Sequence, residues 1–114
     1  MINLNDKKFT IQQNSENGEV SNQTVFAFVQ IDKFVSGSYS GGRILKGQLI
    51  GIMSETNLKL NYQCITEEQV LKSGSAQVSL AQDNQGLIKM EMDWTWLSGD
   101  VGSGKSSYVE ILNE

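Results

Sequence analysis

The segment from Gly99 to Ser106 is the part of the sequence whose residue types and spacing come closest to a known chemical motif. It satisfies the pattern G-x-x-x-x-G-K-[ST] of a phosphate-binding loop. Such a loop binds phosphate where it leaves a parallel strand and opens a helix, because the N-terminal amides of the helix meet the anion. The residues after Lys105 favour a strand, and no helical pattern elsewhere completes a βαβ unit. The sequence therefore predicts a glycine-rich hairpin loop here.

The other candidates for catalysis are carboxylates and one thiol. The chain has no histidine, which removes the commonest general base and excludes Ser-His-Asp and Cys-His sites within one chain. Glu91, Asp93 and Glu110 lie on the polar faces of predicted strands, so we expect them to be solvated. Cys64 lies on an apolar face, which predicts a buried and unreactive thiol. The sequence thus indicates no catalytic residue, no metal site and no cofactor.

Aromatic residues at alternate positions are the candidates for a binding site. Two tryptophans bring a large apolar area and a polar N–H, which suits either the wall of a ligand pocket or a filled core. Gln30 shares a face with Phe26 and Phe28, and a buried amide needs hydrogen-bond partners, which indicates a polar or hydrated cavity. The candidate ligand-binding residues are Phe26, Phe28, Gln30, Tyr39, Leu49, Tyr62, Trp94 and Trp96.

Alternation of apolar and polar residues predicts the strands that position these side chains. From Ile88 to Trp96 one face carries Ile, Met, Met, Trp and Trp, and the other carries Lys, Glu, Asp and Thr. A strand that is buried on one side requires this period of two. Gly47 and Gly51 share one face, which indicates a bend or a close approach. Weaker alternation or β-branched residues predict strands over 8–12, 24–31, 43–53, 58–64, 75–80 and 108–111, the last with its apolar face formed by Val109 and Ile111.

Turn segments rich in Asn, Asp, Ser and Gly divide the chain into eight strands. They are residues 14–23, 32–33, 40–42, 54–56, 66–71, 83–86 and 98–105, and residues 67–71 are compatible with one helical turn. Closure of eight sequential antiparallel strands hides both edges of the sheet. The predicted fold is therefore all-β, an eight-stranded antiparallel up-and-down meander barrel that is calycin-like or lipocalin-like. An open bent sheet or a two-sheet sandwich is the alternative.

Composition narrows the class of partner. A chain of 114 residues with 39% hydrophobic and 19% charged residues suits a single domain over 1–114. The net charge of −4 opposes nucleic-acid binding, since phosphate contacts need Lys and Arg. There is no apolar run of the ~20 residues that a membrane span needs, and no signal-peptide pattern. The single cysteine suits a reducing compartment. We therefore expect a cytoplasmic protein with no nucleic-acid or membrane partner.

A set of short segments forms a recognisable order along the chain: residues 16–19, 39–42, 47–51, 61–63, 74, 94–96, 98–100, 104 and 106. Together they resemble a small bacterial all-β family of about this length. Members of that family are often labelled N-acetylglutamate synthase, so the resemblance implies acetyl transfer from acetyl-CoA to glutamate. Acetyltransferases hold the cofactor pyrophosphate on a glycine-rich loop that opens a long helix, and this sequence predicts no such helix. The resemblance therefore supports the fold rather than the reaction.

Three classes of function are consistent with these observations. The first is a binding module, a barrel that holds a small apolar or amphipathic ligand, and it requires a void at one mouth of the barrel. The second is an interaction protein that docks a partner, or a second copy in a homodimer, through an exposed strand edge or the loop at 14–23. The third is an enzyme, either the acetyltransferase or a nucleotide user through residues 99–106. We rank them in this order.

Overall fold

The structure is a computed structural model, and it describes residues 2–14, 19, 21–98 and 102–112. Each strand pairs antiparallel with the next one along the chain, and the first strand pairs with the last, which closes the sheet into a barrel. Among the described residues there is no helix. The predicted meander barrel is confirmed. Its strands are β1 (Lys8–Asn14), β2 (Val25–Ile31), β3 (Phe34–Gly41), β4 (Ile44–Ser54), β5 (Asn57–Thr66), β6 (Leu71–Gln82), β7 (Ile88–Ser98) and β8 (Ser103–Ile111).

Closure also decides between the alternatives that the sequence left open. A sheet in which β1 pairs with β8 is neither an open bent sheet nor a two-sheet sandwich. It also removes the exposed strand edge on which one form of the interaction hypothesis depends. The residues at 67–70 form a turn, closed by a hydrogen bond from Gln69 N to Thr66 O of 2.8 Å, and not a turn of helix.

The alternate residues predicted to face the interior do so in every strand except β8. The side chain of Tyr108 is buried in the core, whereas Val109 and Ile111 are only half-buried. The predicted inward face of this strand is therefore wrong. The register explains the difference, because Tyr108 lies opposite the buried Met90 of β7 and must share its face of the sheet.

Glu110 shares that inward face and is not the solvated charge that the sequence predicts. Its side chain is only 7% exposed and forms an ion pair of 3.3 Å with Lys7. It also accepts a hydrogen bond of 3.1 Å from the backbone N–H of Ile88. Two partners compensate for the loss of water around this carboxylate.

The residues that precede β1 close one end of the barrel, and Leu4 is fully buried there. The backbone N–H of Leu4 donates to Oε1 of Gln30 over 2.9 Å, and the N–H of Gln30 donates to Oδ1 of Asn5 over 3.0 Å. The side-chain nitrogen Nε2 of Gln30 donates to the backbone carbonyl of Asp32 over 2.8 Å. The polar groups of Gln30 thus hold the closing segment in place.

Two glycines make room for two interior tyrosines, and the one in β4, Gly47, is a close approach of the kind that the sequence indicates there. Tyr39 lies opposite Gly47 on the neighbouring strand, and Tyr62 lies opposite Gly74. A Cβ atom added at either glycine would overlap the ring of its tyrosine. The rings therefore lie flat across the adjacent strand, where any larger residue would exclude them.

Candidate functional site

The end of the barrel opposite Leu4 is the candidate site, and it is called the mouth below. β1 ends and β2 begins there, and the turns that join β3 to β4 and β5 to β6 lie there too. The register shifts of the barrel fall in this half, among them those at Tyr39–Gly41, Ile44–Lys46 and Ser73–Gly74. Bulges increase the local twist and re-aim side chains, so the strand pairing is less regular at the mouth than at the closed end.

A cavity of about 40 Å³ lies in the half of the barrel next to the mouth. One buried water molecule needs roughly 10–15 Å³ of such a cavity, so this cavity has room for about three water molecules. Six of the predicted site residues line it, and we list them here: Phe26, Tyr39, Leu49, Tyr62, Trp94 and Trp96. Phe28 and Gln30 lie nearer the closed end and are not part of its wall.

Six of the thirteen residues that line the cavity are aromatic. The rings of Phe26 and Tyr39 stack with centroids 4.6 Å apart, and Tyr108 meets Phe26 edge-on at 5.1 Å. On the opposite side, Trp96 contacts Tyr62 at 5.6 Å and Trp94 at 5.8 Å. Both groups have offset or edge-to-face geometries, which are favourable for aromatic pairs. The wall is therefore rigid and mainly apolar.

The polar atoms of these rings differ in their partners. The hydroxyl of Tyr39 donates to the carbonyl of Gln63 over 3.2 Å, and the hydroxyl of Tyr108 accepts from Ser106 Oγ over 2.9 Å. Nε1 of Trp96 is buried without a hydrogen-bond partner among the described residues. A buried N–H without a partner is unusual, because its desolvation is not compensated. This donor is available to an acceptor brought by a ligand.

Burial keeps the ionisable groups of the wall neutral. It raises the pKa of Tyr108 to about 12, and it raises the pKa values of Tyr39 and Tyr62 well above the usual value for a phenol. Burial, reinforced by the charge of Glu19, also raises the pKa of the Cys64 thiol. The structure confirms that Cys64 is buried. A neutral, buried thiol is a poor nucleophile, and the lack of reactivity of Cys64 stays a prediction.

Charged side chains that no local sequence pattern predicts meet at the rim of the cavity. Glu19 and Lys72 are both less than one-tenth exposed, and they form a hydrogen-bonded ion pair. A second oxygen of Glu19 lies 3.4 Å from the guanidinium of Arg43, which also pairs with Glu68 at 3.2 Å. The ammonium of Lys72 lies 5.4 Å from the ring centre of Trp96. Within the described ranges, Glu19 is the only charged residue that lines the cavity, and its partners in this rim cluster lie behind it.

The sequence analysis missed several residues of the cavity wall, and Lys72 of the rim cluster, for different reasons. Tyr108 was missed because the face of β8 was assigned wrongly. Lys72 lies just before the predicted strand at 75–80, and extending its period of two backwards would have placed this lysine inside the barrel. Glu19 comes from a predicted loop and has no local signal. The other missed wall residues are Asn14, Ile44, Leu60, Cys64 and Met92.

The phosphate-loop match does not form a phosphate site in the part that the structure describes. Residues 99–101 lie outside the described ranges. Lys105 and Ser106 belong to β8, which runs antiparallel to β7, and no helix follows them within 103–112. Ser106 faces the interior, where it bonds Tyr108, so it is directed away from Lys105, which is exposed. The described part of this segment therefore belongs to a strand of an antiparallel pair and does not open a helix.

Two further searches concern the described residues only. No group of three or more His, Cys, Asp or Glu side chains comes together there as a metal site would require. No helix among them is both long and apolar enough to cross a membrane. The cytoplasmic location stays a prediction.

Comparison with known proteins adds one finding. The profile of a protein family described as Avidin-like protein matches residues 2–111. Neither the curated proteins nor the solved structures yield a match to this sequence. The acetyltransferase label and the specific likeness to lipocalins stay predictions. Because the family match spans nearly the whole chain and the fold is a closed eight-stranded barrel of the calycin type, the protein belongs to the avidin-like family.

Proposed function

We propose that the protein binds a small, largely apolar molecule in the cavity at the barrel mouth. The observation that carries this proposal is the buried N–H of Trp96, which lines the cavity and has no partner among the described residues. A ligand that brings a hydrogen-bond acceptor would satisfy this donor, and the aromatic wall would bury the apolar part of the same ligand.

The size of the cavity limits the ligand. Sites for drug-sized molecules measure roughly 300–1,000 Å³, whereas this cavity holds about 40 Å³. A narrow chain or a single small ring fits best, and a longer ligand must extend out through the mouth. Fully buried side chains fill the closed half of the barrel, among them Leu4, Phe9 and Met53. Because that half is packed, a ligand that enters at the mouth can reach no deeper than the cavity.

The test uses linear 1-alkanols from butanol to octanol. We expect each added methylene to raise affinity about three- to fourfold, as burial of ~0.8 kcal/mol per CH₂ implies, until the chain reaches the packed half of the barrel. Trp94 and Trp96 line the cavity, so binding should change the tryptophan fluorescence, and calorimetry gives the affinity. If no alkanol produces heat or a fluorescence change, the proposal is wrong.

A matched pair of variants locates the binding site. Leu60→Phe adds volume inside the cavity, and Leu45→Phe makes the same change on an exposed position of β4. We expect the first variant to lose alkanol binding and the second to bind like the unmodified protein. Circular dichroism checks that both fold. Equal binding by the two variants would place the alkanol outside the barrel.

A second candidate function is self-association through the outer face of β2, β3 and β4. Ile31, Phe34 and Ile52 are neighbours across these strands, and each is more than half exposed. Val29 and Ile50 extend the same apolar surface. An apolar patch is complementary to itself, so a second copy of the chain fits it through a two-fold interface. Acetyl transfer has no comparable observation in its favour among the described residues.

A further inference from the structure

An open groove crosses the outer wall of the barrel from β2 to β6, on the solvent side of the sheet. The register places its residues in two adjacent rows. One row runs from Ala27 through Ser38, Gln48 and Gln63 to Ser73, each opposite the next on the neighbouring strand. The groove encloses about 890 Å³, within the range of roughly 300–1,000 Å³ that is common for small-molecule sites. The adjacent row holds Val29, Ser36, Ile50 and Asn61.

The floor of this groove is polar but uncharged. The charged residues that line the groove, at positions 6–8, lie together at the end next to β1. The outer face of β7 differs, because its residues at 89, 91 and 93 are all charged. Neutral hydroxyl and amide groups on four neighbouring strands therefore distinguish this part of the surface, which is called the polar strip below. The polar strip consists of Ser36, Ser38, Gln48, Asn61, Gln63 and Ser73.

The amides of the polar strip keep their capacity for hydrogen bonds. Gln48, Asn61 and Gln63 are exposed, and within the described part of the chain none of their side chains bonds another group. Ser73 alone in the strip has a side-chain partner there, the hydroxyl of Ser98. Each amide offers two donor hydrogens and an acceptor oxygen. Because Gln48 and Gln63 lie directly opposite each other, the strip presents donors and acceptors side by side.

These properties narrow the class of ligand. Every strand of the groove is hydrogen-bonded on both sides in the closed sheet, so a peptide cannot add there as a further strand. Nucleic acid needs Lys and Arg for its phosphates, and the polar strip has neither. A chain of sugar rings fits better, since each hydroxyl both donates and accepts hydrogen bonds. The C–H faces of the same rings can pack on Val29 and Ile50, which border the strip.

We propose that this outer groove is a binding site for a neutral oligosaccharide. Neighbouring hydroxyls of the sugar bond the amides of Gln48 and Gln63, and its ring faces pack on Val29 and Ile50. The row from β2 to β6 spans four strand spacings, roughly 19 Å, which suits a chain of several rings rather than a single sugar. The site lies outside the barrel and does not depend on the cavity, so it goes beyond the function proposed above.

The experiment titrates cellohexaose, maltohexaose and chitohexaose into ¹⁵N-labelled protein and follows the amide resonances by NMR. We expect at least one of the three to shift the resonances of Gln48, Gln63 and Ser73 in a saturable way. Gln48→Leu/Gln63→Leu keeps similar side-chain volumes but removes both amides. This double variant should bind the same sugar roughly tenfold or more weakly, as the loss of two or more neutral hydrogen bonds implies.

Two further variants serve as controls. Gln77→Leu makes the same change at an exposed position of β6 that does not line the groove, and it should bind the sugar like the unmodified protein. Leu60→Phe fills the cavity inside the barrel and should leave sugar binding unchanged, whereas the double variant in the groove should leave 1-octanol binding unchanged. Circular dichroism checks that each variant folds, and sedimentation velocity checks its state of association.

Three results would overturn the proposal. The first is that none of the three sugars shifts the amides of the groove. The second is that an anionic hexagalacturonate binds there and the neutral sugars do not, because Lys7 and Lys8 at the β1 end would then select the ligand. The third is that no sugar binds and Gln48→Leu/Gln63→Leu changes the state of association, which would mean that a second copy of the chain covers the groove.

Discussion

At the scale of single residues, the interior depends on large rings placed beside glycines. Tyr39 lies over Gly47, and the stacking of Phe26 on Tyr39 depends on that placement. The same relation joins Tyr62 to Gly74 on the other side of the cavity. Glycine weakens a strand in general, so its use here is explained by the space that each ring needs.

Gly47→Ala tests this explanation. The added Cβ would overlap the ring of Tyr39, and overpacking of this kind destabilises a protein by about 1–3 kcal/mol. We expect a loss of that size in the free energy of unfolding, measured with urea. Gln48→Ala, at the adjacent exposed position, should stay within about 0.5 kcal/mol.

A double variant identifies the ring as the cause. In a Tyr39→Leu background, Gly47→Ala should destabilise the protein less than it does alone, because the overlapping ring is absent. Equal losses in the two backgrounds would mean that the backbone of β4, and not Tyr39, excludes the methyl group.

At the scale of elements, the strands differ in how their outer faces meet solvent. β7 alternates buried and exposed residues almost without exception, and most of its outward residues are polar. β2, β3 and β4 instead carry apolar residues on the outward face, where Ile31 lies opposite Phe34 and Phe34 opposite Ile52. An isolated exposed apolar residue needs no explanation, but a contiguous group across three strands does.

Sedimentation velocity tests whether this face joins two copies of the chain. We expect the unmodified protein to be a dimer at micromolar concentrations and Phe34→Lys to be a monomer, since a charge at the centre of an apolar interface is unfavourable. Leu97→Lys makes the same change at an exposed position of β7 and should leave the dimer intact. A monomeric unmodified protein at every concentration would reject the second candidate function.

At the scale of the whole molecule, the barrel has a packed half and a half with a cavity, and of the tyrosines that line the cavity Tyr39 and Tyr108 are buried and Tyr62 is partly buried. Burial raises the pKa values of Tyr39, Tyr62 and Tyr108 above the ordinary phenol value of 10.0. The folded protein therefore favours the neutral phenols. The buried neutral tyrosines contribute their full stabilisation to the folded state below about pH 10. This stabilisation is lost as the pH rises toward the pKa values that the tyrosines have in the folded state.

Urea unfolding as a function of pH measures this effect. We expect stability to fall from about pH 10 upward, with about 2–3 kcal/mol lost by pH 12 from Tyr108 alone. Tyrosinate absorbance should appear together with the loss of tertiary structure, and Tyr108→Phe should reduce the dependence on pH. Ionisation of the tyrosines near pH 10 in a protein that stays folded would contradict the prediction.

The sequence alone determined the class of fold and most of the interior, because alternation along a strand is a local property of the backbone. It predicted the eight strands, six of the cavity wall residues and the burial of Cys64. The extent of a single domain over 1–114 and the ligand-binding role of the wall stay predictions.

Only the tertiary structure decided which side of β8 is buried, since that side depends on the register with β7. The pairing of Glu19 with Lys72 likewise joins residues far apart in the chain. The division into a packed half and a cavity also depends on packing across the barrel, which no local pattern encodes.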